Sequence, residues 1–147
     1  LARARLRLEV SPRGGIMVPR LKMVTVDVEL SLKDVAQRMV ESEHGRLPVF
    51  EESIDHILGI VHSREVLAAM AIIDSEQNLR NLVNPAFFIP ETKRLDDLLE
   101  ELQDMGVQMA IVVDEYGGTE GLLTMEDLLE EIVGEIEDEF SERGSQN

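Results

Sequence analysis

The sequence predicts an α/β fold built from two β-α-β-β-α repeats packed face to face, and two observations carry that prediction. A helix stripe, Leu32, Val35, Ala36 and Met39, returns 63 residues later as Leu95, Leu98, Leu99 and Leu102. Past one indel the offset is 62, so that Gly59-Ile60-Val61-His62-Ser63-Arg64-Glu65 aligns with Gly121-Leu122-Leu123-Thr124-Met125-Glu126-Asp127. A unit that recurs at a fixed period buries its apolar face against its copy, and the clefts between such halves are where a ligand is expected.

In chain order, residues 1–15 lack a clean period and end in Ser11-Pro12-Arg13-Gly14-Gly15, which reads as a lead-in. Met23 to Val26 reads as a short strand. Ser31 offers an N-cap for a helix through Glu41, with a stripe at positions 32, 35, 36, 39 and 40. Arg46 to Phe50 is the next strand, with Pro48 at an edge or entry position because it donates nothing to a ladder. Glu51 to Asp55 is the turn, Ile57 to Val61 the partner strand, and a helix starts near Ser63. Asn78 to Pro85 links the halves, anchored by Leu79, Leu82 and Val83.

The second half repeats the order. Ala86 to Ile89 is a strand, and Arg94 to Met105 a helix with Leu95, Leu98, Leu99, Leu102 and Met105 on its buried side and Gly106 at its C-cap. Met109 to Val113, apolar throughout, is a strand covered on both faces. Asp114 to Gly118 makes the turn, Gly121 to Thr124 returns as a strand, and Leu128, Leu129, Ile132, Val133 and Ile136 mark an amphipathic helix that frays from Ser141 to Asn147.

Composition narrows the function. A net charge of −16 argues against nucleic acid, since phosphate backbones are held by clustered Lys and Arg. The charge is unevenly spread: Arg3, Arg5, Arg7, Arg13, Arg20 and Lys22 face only Glu9 in the first 22 residues, whereas Glu120 to Glu142 holds ten acids and no base. The basic start reads as a solvated tail, with a membrane surface or an acidic partner as the alternative. The absence of cysteine excludes disulfides and thiolate metal sites. The apolar runs are of strand length, well short of the roughly 20 residues that span a bilayer.

Thr124-Met125-Glu126-Asp127 closes a strand and opens a helix, and two readings fit it. Thr at the N-cap with Asp at N3 forms a near capping box. The same geometry suits a ligand, because a helix N-terminus attracts anions and an ionised carboxylate accepts from two sugar hydroxyls. Its duplicate at Gly59 to Glu65 favours the second reading.

Two copies of this unit, each with the Gly-led strand-to-helix junction, resemble a pair of CBS domains. Met17-Val18-Pro19-Arg20, Gly45-Arg46-Leu47-Pro48-Val49-Phe50, the Asp114-Glu115-Tyr116-Gly117-Gly118 turn and the Val133-Gly134-Glu135-Ile136-Glu137-Asp138-Glu139 tail are similar to the CorC/hemolysin-C-like family of magnesium and cobalt efflux proteins. The resemblance implies a lead-in over 1–15, CBS repeats over 16–78 and 79–140 and a tail over 141–147. It further implies a regulatory, non-enzymatic module that binds an adenine nucleotide (AMP, ADP or ATP), with or without magnesium, forms a homodimer and serves a membrane transport domain in cis or trans. Its location would be cytoplasmic, as a soluble member or as the cytosolic part of an inner-membrane protein; the lack of the domain that often follows the acidic tail favours a fragment.

Carried over by residue, Thr124 and Asp127 match ribose-contacting positions, and His62 and Glu65 hold the corresponding places in the first half, a departure from Thr and Asp. Val18 stands where a phosphate-facing hydroxyl is expected and would contribute through its backbone. Arg46 is the candidate phosphate partner, since a guanidinium pairs with phosphate in a bidentate way. The alternative is a ligand-free dimerisation or interaction scaffold in which Thr124 and Asp127 only cap a helix.

Other chemistry finds little support. His44, His56 and His62 fall in separate elements without i, i+3 or i, i+4 pairing, and Glu126, Asp127, Glu130 and Glu131 read as a solvated acidic face before a cation site. No Gly-x-Ser-x-Gly elbow, Cys–His pair or P-loop is present.

Overall fold

The computed structural model describes residues 16–72 and 76–145, with the backbone alone for residue 135 and residues 138–145. The lead-in over 1–15 and the last two residues of the tail lie outside the described residues. The elements are β1 (Val18–Pro19), a 3-10 turn (Arg20–Lys22), β2 (Val26–Asp27), α1 (Leu32–Ser42), β3 (Arg46–Glu51), β4 (Ser53–His62), α2 (Ser63–Met70), α3 (Leu79–Leu82), β5 (Phe87–Pro90), α4 (Leu95–Met105), β6 (Met109–Val113), β7 (Thr119–Thr124) and α5 (Met125–Ser145).

They form two compact units. The first-half unit is Met23–Ala86 with Gly117–Thr119; the second-half unit takes the chain up to Lys22, Phe87–Tyr116 and Glu120 onward. The first-half sheet runs β2-β3-β4, with β2 parallel to β3 and β3 antiparallel to β4. The second-half sheet runs β1-β7-β6-β5, with β5 parallel to β6 and β1 antiparallel to β7. In each half a helix crosses between the two parallel strands, α1 between β2 and β3 and α4 between β5 and β6, as parallel pairing requires.

The recurring stripes do what their spacing predicts. Val35 and Met39 are buried with Val26, Leu47, Val49 and Val61 in the first-half core, against which Leu32 and Ala36 pack. Leu95, Leu98 and Leu102 are buried with Ile89, Val112 and Leu123 in the second-half core, with Leu99 packed against it. Val40 and Met105 depart from expectation, at 77% and 53% exposure. At 100° per residue both sit on the flank of their stripe, in the last turns of their helices.

Local signals set most boundaries. Ser31 Oγ accepts the Asp34 N–H at 3.1 Å and starts α1. Gly106 ends α4 at φ 67°, a left-handed C-cap that glycine adopts without a Cβ penalty. Beyond one- or two-residue shifts at element ends, and beyond β1 and the 3-10 turn, which the sequence reading did not mark, four elements differ from it. β2 lies at Val26–Asp27, where Val26 pairs with Val49 and Asp27 with Phe50 of β3. β4 begins at Ser53, since Glu52 takes the left-handed conformation (φ 71°) and tightens the turn. The linker holds a helical turn, α3, started by Asn78 and Asn81, each side chain accepting the other's backbone N–H at 3.1 Å. Finally, α5 continues through Ser145 where fraying was expected from Ser141.

Candidate functional site

The second-half junction is fixed from both sides. Met125 N–H donates to the Gln108 carbonyl at 2.8 Å and the Met125 side chain is buried, which ties the start of α5 to the sheet. Thr124 Oγ1 accepts the Asp127 N–H at 3.2 Å, the N-cap expected of it. β1 lies against β7 with Val18 opposite Leu122 and Pro19 opposite Gly121. That approach needs glycine, because a Cβ on Gly121 would stand 2.2 Å from the Val18 carbonyl oxygen.

Between β1 and the first turns of α5 opens a cleft of about 550 Å³ lined by Ile16, Met17, Val18, Pro19, Lys22, Asp127, Glu130 and Glu131. One wall is apolar and the other carries three carboxylates, with Lys22 as a cation on the rim. Its size falls within the range of small-molecule sites. Among the described residues no donor reaches the Asp127 carboxylate. A half-buried carboxylate at N3, on a residue whose N–H is held by Thr124 Oγ1 and which lines the cleft, is an acceptor for paired hydroxyls.

The first-half junction is its counterpart with different chemistry. Ser63 N–H donates to the Gly45 carbonyl at 2.8 Å, as Met125 does to Gln108. His62 Nδ1 accepts the Arg64 N–H at 3.0 Å, and Glu65 Oε1 accepts the His62 N–H at 3.2 Å. Asn84 pairs with Ile60 through both backbone bonds, at 2.8 and 2.9 Å, and a Cβ on Gly59 would lie 2.0 Å from the Asn84 carbonyl oxygen. Asn84 Nδ2 also donates to both Glu65 oxygens, at 2.8 and 3.0 Å. Arg46 stands opposite His62 in the β3–β4 register. Burial first, then the charges of Arg46 and Arg64, hold the His62 imidazole below its ordinary pKa, against a smaller upward pull from Glu65.

The six residues singled out in the sequence therefore divide evenly. Val18, Thr124 and Asp127 come together in the second-half unit, and Arg46, His62 and Glu65 in the first-half unit. Sequence reasoning did not single out Lys22, Ile16, Met17 and Pro19 as cleft residues, nor Asn84 as the partner of Glu65. The signal for Asn84 was the repeat itself: Ile60 aligns with Leu122, so the residue bridged to Ile60 answers to Val18.

The family model for the CBS domain matches the chain twice, over residues 14–72 and 79–134. The chain belongs to the CBS-domain family. Within it, the chain is 44% identical over 127 residues to the magnesium and cobalt efflux protein CorC of Vibrio cholerae, and 42% to that of Escherichia coli K12. In both cases the match takes in 86% of this chain, which spans about 44% of those relatives' length. Among solved structures, the CBS domain of the bacterial CNNM/CorC family Mg2+ transporter in complex with ATP matches at 42% identity and a TM-score of 0.79, covering 88% of this chain and 92% of that one. A CBS-domain pair with bound AMP from Klebsiella pneumoniae matches at 32% identity and 0.74, covering 86% and 99%. The tandem CBS fold expected from the repeat is thus the fold of the chain, and its CBS relatives are of the CorC type. No helix among the described residues is long and apolar enough to cross a membrane.

Proposed function

We propose that this CBS pair is the adenine-nucleotide sensor of a CorC-like magnesium and cobalt efflux system, with its principal site in the second-half cleft. The observation that carries the reading is the open Asp127 carboxylate beside Val18 and below the Thr124 cap. Asp127 accepts from the ribose hydroxyls, the base lies along the apolar wall of Ile16, Met17 and Pro19, and the backbone of β1 offers further hydrogen-bonding groups. ATP in one relative and AMP in another support the ligand class. Glu130 and Glu131 repel a bare polyphosphate, so Lys22 and a magnesium ion arriving on the nucleotide would both favour binding. Arg46, opposite His62, is the phosphate candidate of the first-half junction and not of this cleft.

The module acts by binding and not by catalysis, on the cytosolic side of a transport domain carried in cis or trans. It works as a homodimer. In α5, Leu128 and Ile132 are spent on the core while Leu129, Val133 and Ile136 stay exposed, which leaves an apolar edge for a second copy. Titration calorimetry with AMP, ADP and ATP, each with and without magnesium, tests the nucleotide reading. Asp127→Ala is expected to weaken binding by about tenfold or more, the loss of hydrogen bonds to a charged acceptor. Unchanged affinity in a variant that melts like its parent would refute the ribose assignment. If no nucleotide raises the melting temperature, the ligand-free scaffold is the correct reading.

A further inference from the structure

The two junctions are built on one plan, and the residue that separates them chemically is neither His62 nor Glu65. Val18 and Asn84 occupy the same place in the two halves: each is the antiparallel partner of the residue after the junction glycine, Leu122 and Ile60 respectively. Each passes so close that only glycine fits beneath it, at Gly121 and Gly59. In the second half this position carries an isopropyl group and the Asp127 carboxylate stays open. In the first half it carries an amide, whose nitrogen lies 2.8 and 3.0 Å from the two oxygens of Glu65.

We infer that Asn84 is a built-in occupant of the first-half junction, its amide taking the carboxylate that would otherwise receive a ribose. The inference rests on the nucleotide reading of the second-half cleft. A carboxylate binds a sugar by accepting from two adjacent hydroxyls. The Asn84 nitrogen engages both Glu65 oxygens, and the His62 N–H adds a third donor. A ribose would have to displace the amide from a charged acceptor to which it is tethered by two backbone hydrogen bonds at its own residue. An intramolecular donor of this kind competes at a high effective concentration. Asn84 therefore determines which half of the pair responds to nucleotide, and Glu65 serves as an internal structural acceptor.

The test exchanges the two residues. Asn84→Val frees Glu65 while keeping the backbone bridge to Ile60, and Val18→Asn brings an amide to Asp127. Magnesium-ATP and AMP are titrated calorimetrically into the parent, into each variant and into Asn84→Val combined with Asp127→Ala or with Glu65→Ala, with thermal melts confirming that each is folded. The parent is expected to bind one nucleotide per chain. Asn84→Val should add a weaker second event that survives Asp127→Ala and disappears with Glu65→Ala; Val18→Asn should weaken the original event by about tenfold. A binding parent whose Asn84→Val variant, folded, shows a single event that Asp127→Ala abolishes overturns the role of Asn84 and leaves the second-half site standing. A parent that binds no nucleotide overturns both. Two equivalent events in the parent overturn the occlusion, because Asn84 would then be in place and ineffective.

Discussion

Replacing Gly121 by alanine places a methyl group where the chain itself already passes. The added Cβ would lie 2.2 Å from the Val18 carbonyl oxygen and 2.9 Å from both Cγ and Sδ of Met17. The methionine end can swing away; the backbone oxygen cannot move without β1. Two responses are open. If β1 stays paired and shifts outward by about an ångström, the cost is that of overpacking, about 1–3 kcal/mol. If β1 leaves, Ile16 and Met17, buried at present, become exposed at about 1.5–3 kcal/mol each. The cheaper response prevails, so the loss should be about 1–3 kcal/mol, or roughly 3–10 °C in melting temperature for a chain of this size. Gly59→Ala meets the Asn84 carbonyl oxygen at 2.0 Å and Val83 Cγ1 at 2.5 Å and should cost a similar amount. The two variants separate in binding: β1 lines the cleft with Asp127, so Gly121→Ala should also lose most of its affinity for nucleotide, whereas Gly59→Ala should keep it. Scanning calorimetry and titration of both variants decide the matter. A Gly121→Ala chain that melts within a degree of its parent and binds nucleotide equally well would refute the reasoning.

His62 is held below its ordinary pKa of 6.5, by burial before the two arginines, so the fold binds its proton more weakly than the unfolded chain does. That contribution to stability is complete above about pH 6.5 and is lost as pH falls through the depressed folded value. Protonation would also remove the Nδ1 lone pair that accepts the Arg64 N–H; melting curves between pH 7.5 and 5 should fall more steeply for the parent than for His62→Thr, which keeps a capping oxygen without a titrating group. The homodimer should persist at about 100 μM protein and about 0.5 M salt, where the screening length is roughly 4 Å, as read by light scattering. Val133→Glu, on the exposed edge of α5, should dissociate it without unfolding the monomer.

The helices and the central strands were legible because their burial is periodic and local: the stripe of α4 alone specifies a helix, its cap and the face that meets the sheet. The junction residues Thr124 and Asp127 were legible because the repeat named them twice. β1 as a sheet strand was not. It is two residues long, contains a proline and finds its partner about a hundred residues away, so no local pattern marks it. The cleft could not be drawn without it, which is why Met17 and Lys22 escaped notice. The Asn84 to Glu65 contact was hidden for a related reason, as 19 residues and a helix separate the partners. The capping box expected at Thr124 is realised with both arms at His62, where Glu65 returns to the His62 N–H, a role that a histidine cap does not advertise.

The pairing of β1 with β7 also orders events during synthesis. Nearly all of the first-half unit is contiguous, and its sheet and helices are available once residue 86 has left the ribosome. The second-half sheet must wait for Gly121 and Leu122, by which time its first strand was made a hundred residues earlier and has stayed unpaired. Closing so long a loop costs roughly 4 kcal/mol in chain entropy, met only when the Gly121 passage, the Ile16 and Met17 burial and the α5 start form together. Until then Ile16 and Met17 lie uncovered next to a basic stretch, a natural place for a chaperone to hold or a protease to cut. The segment that walls the cleft is thus made before the rest of the pair and secured after most of it, which ties completion of the cleft to synthesis of α5.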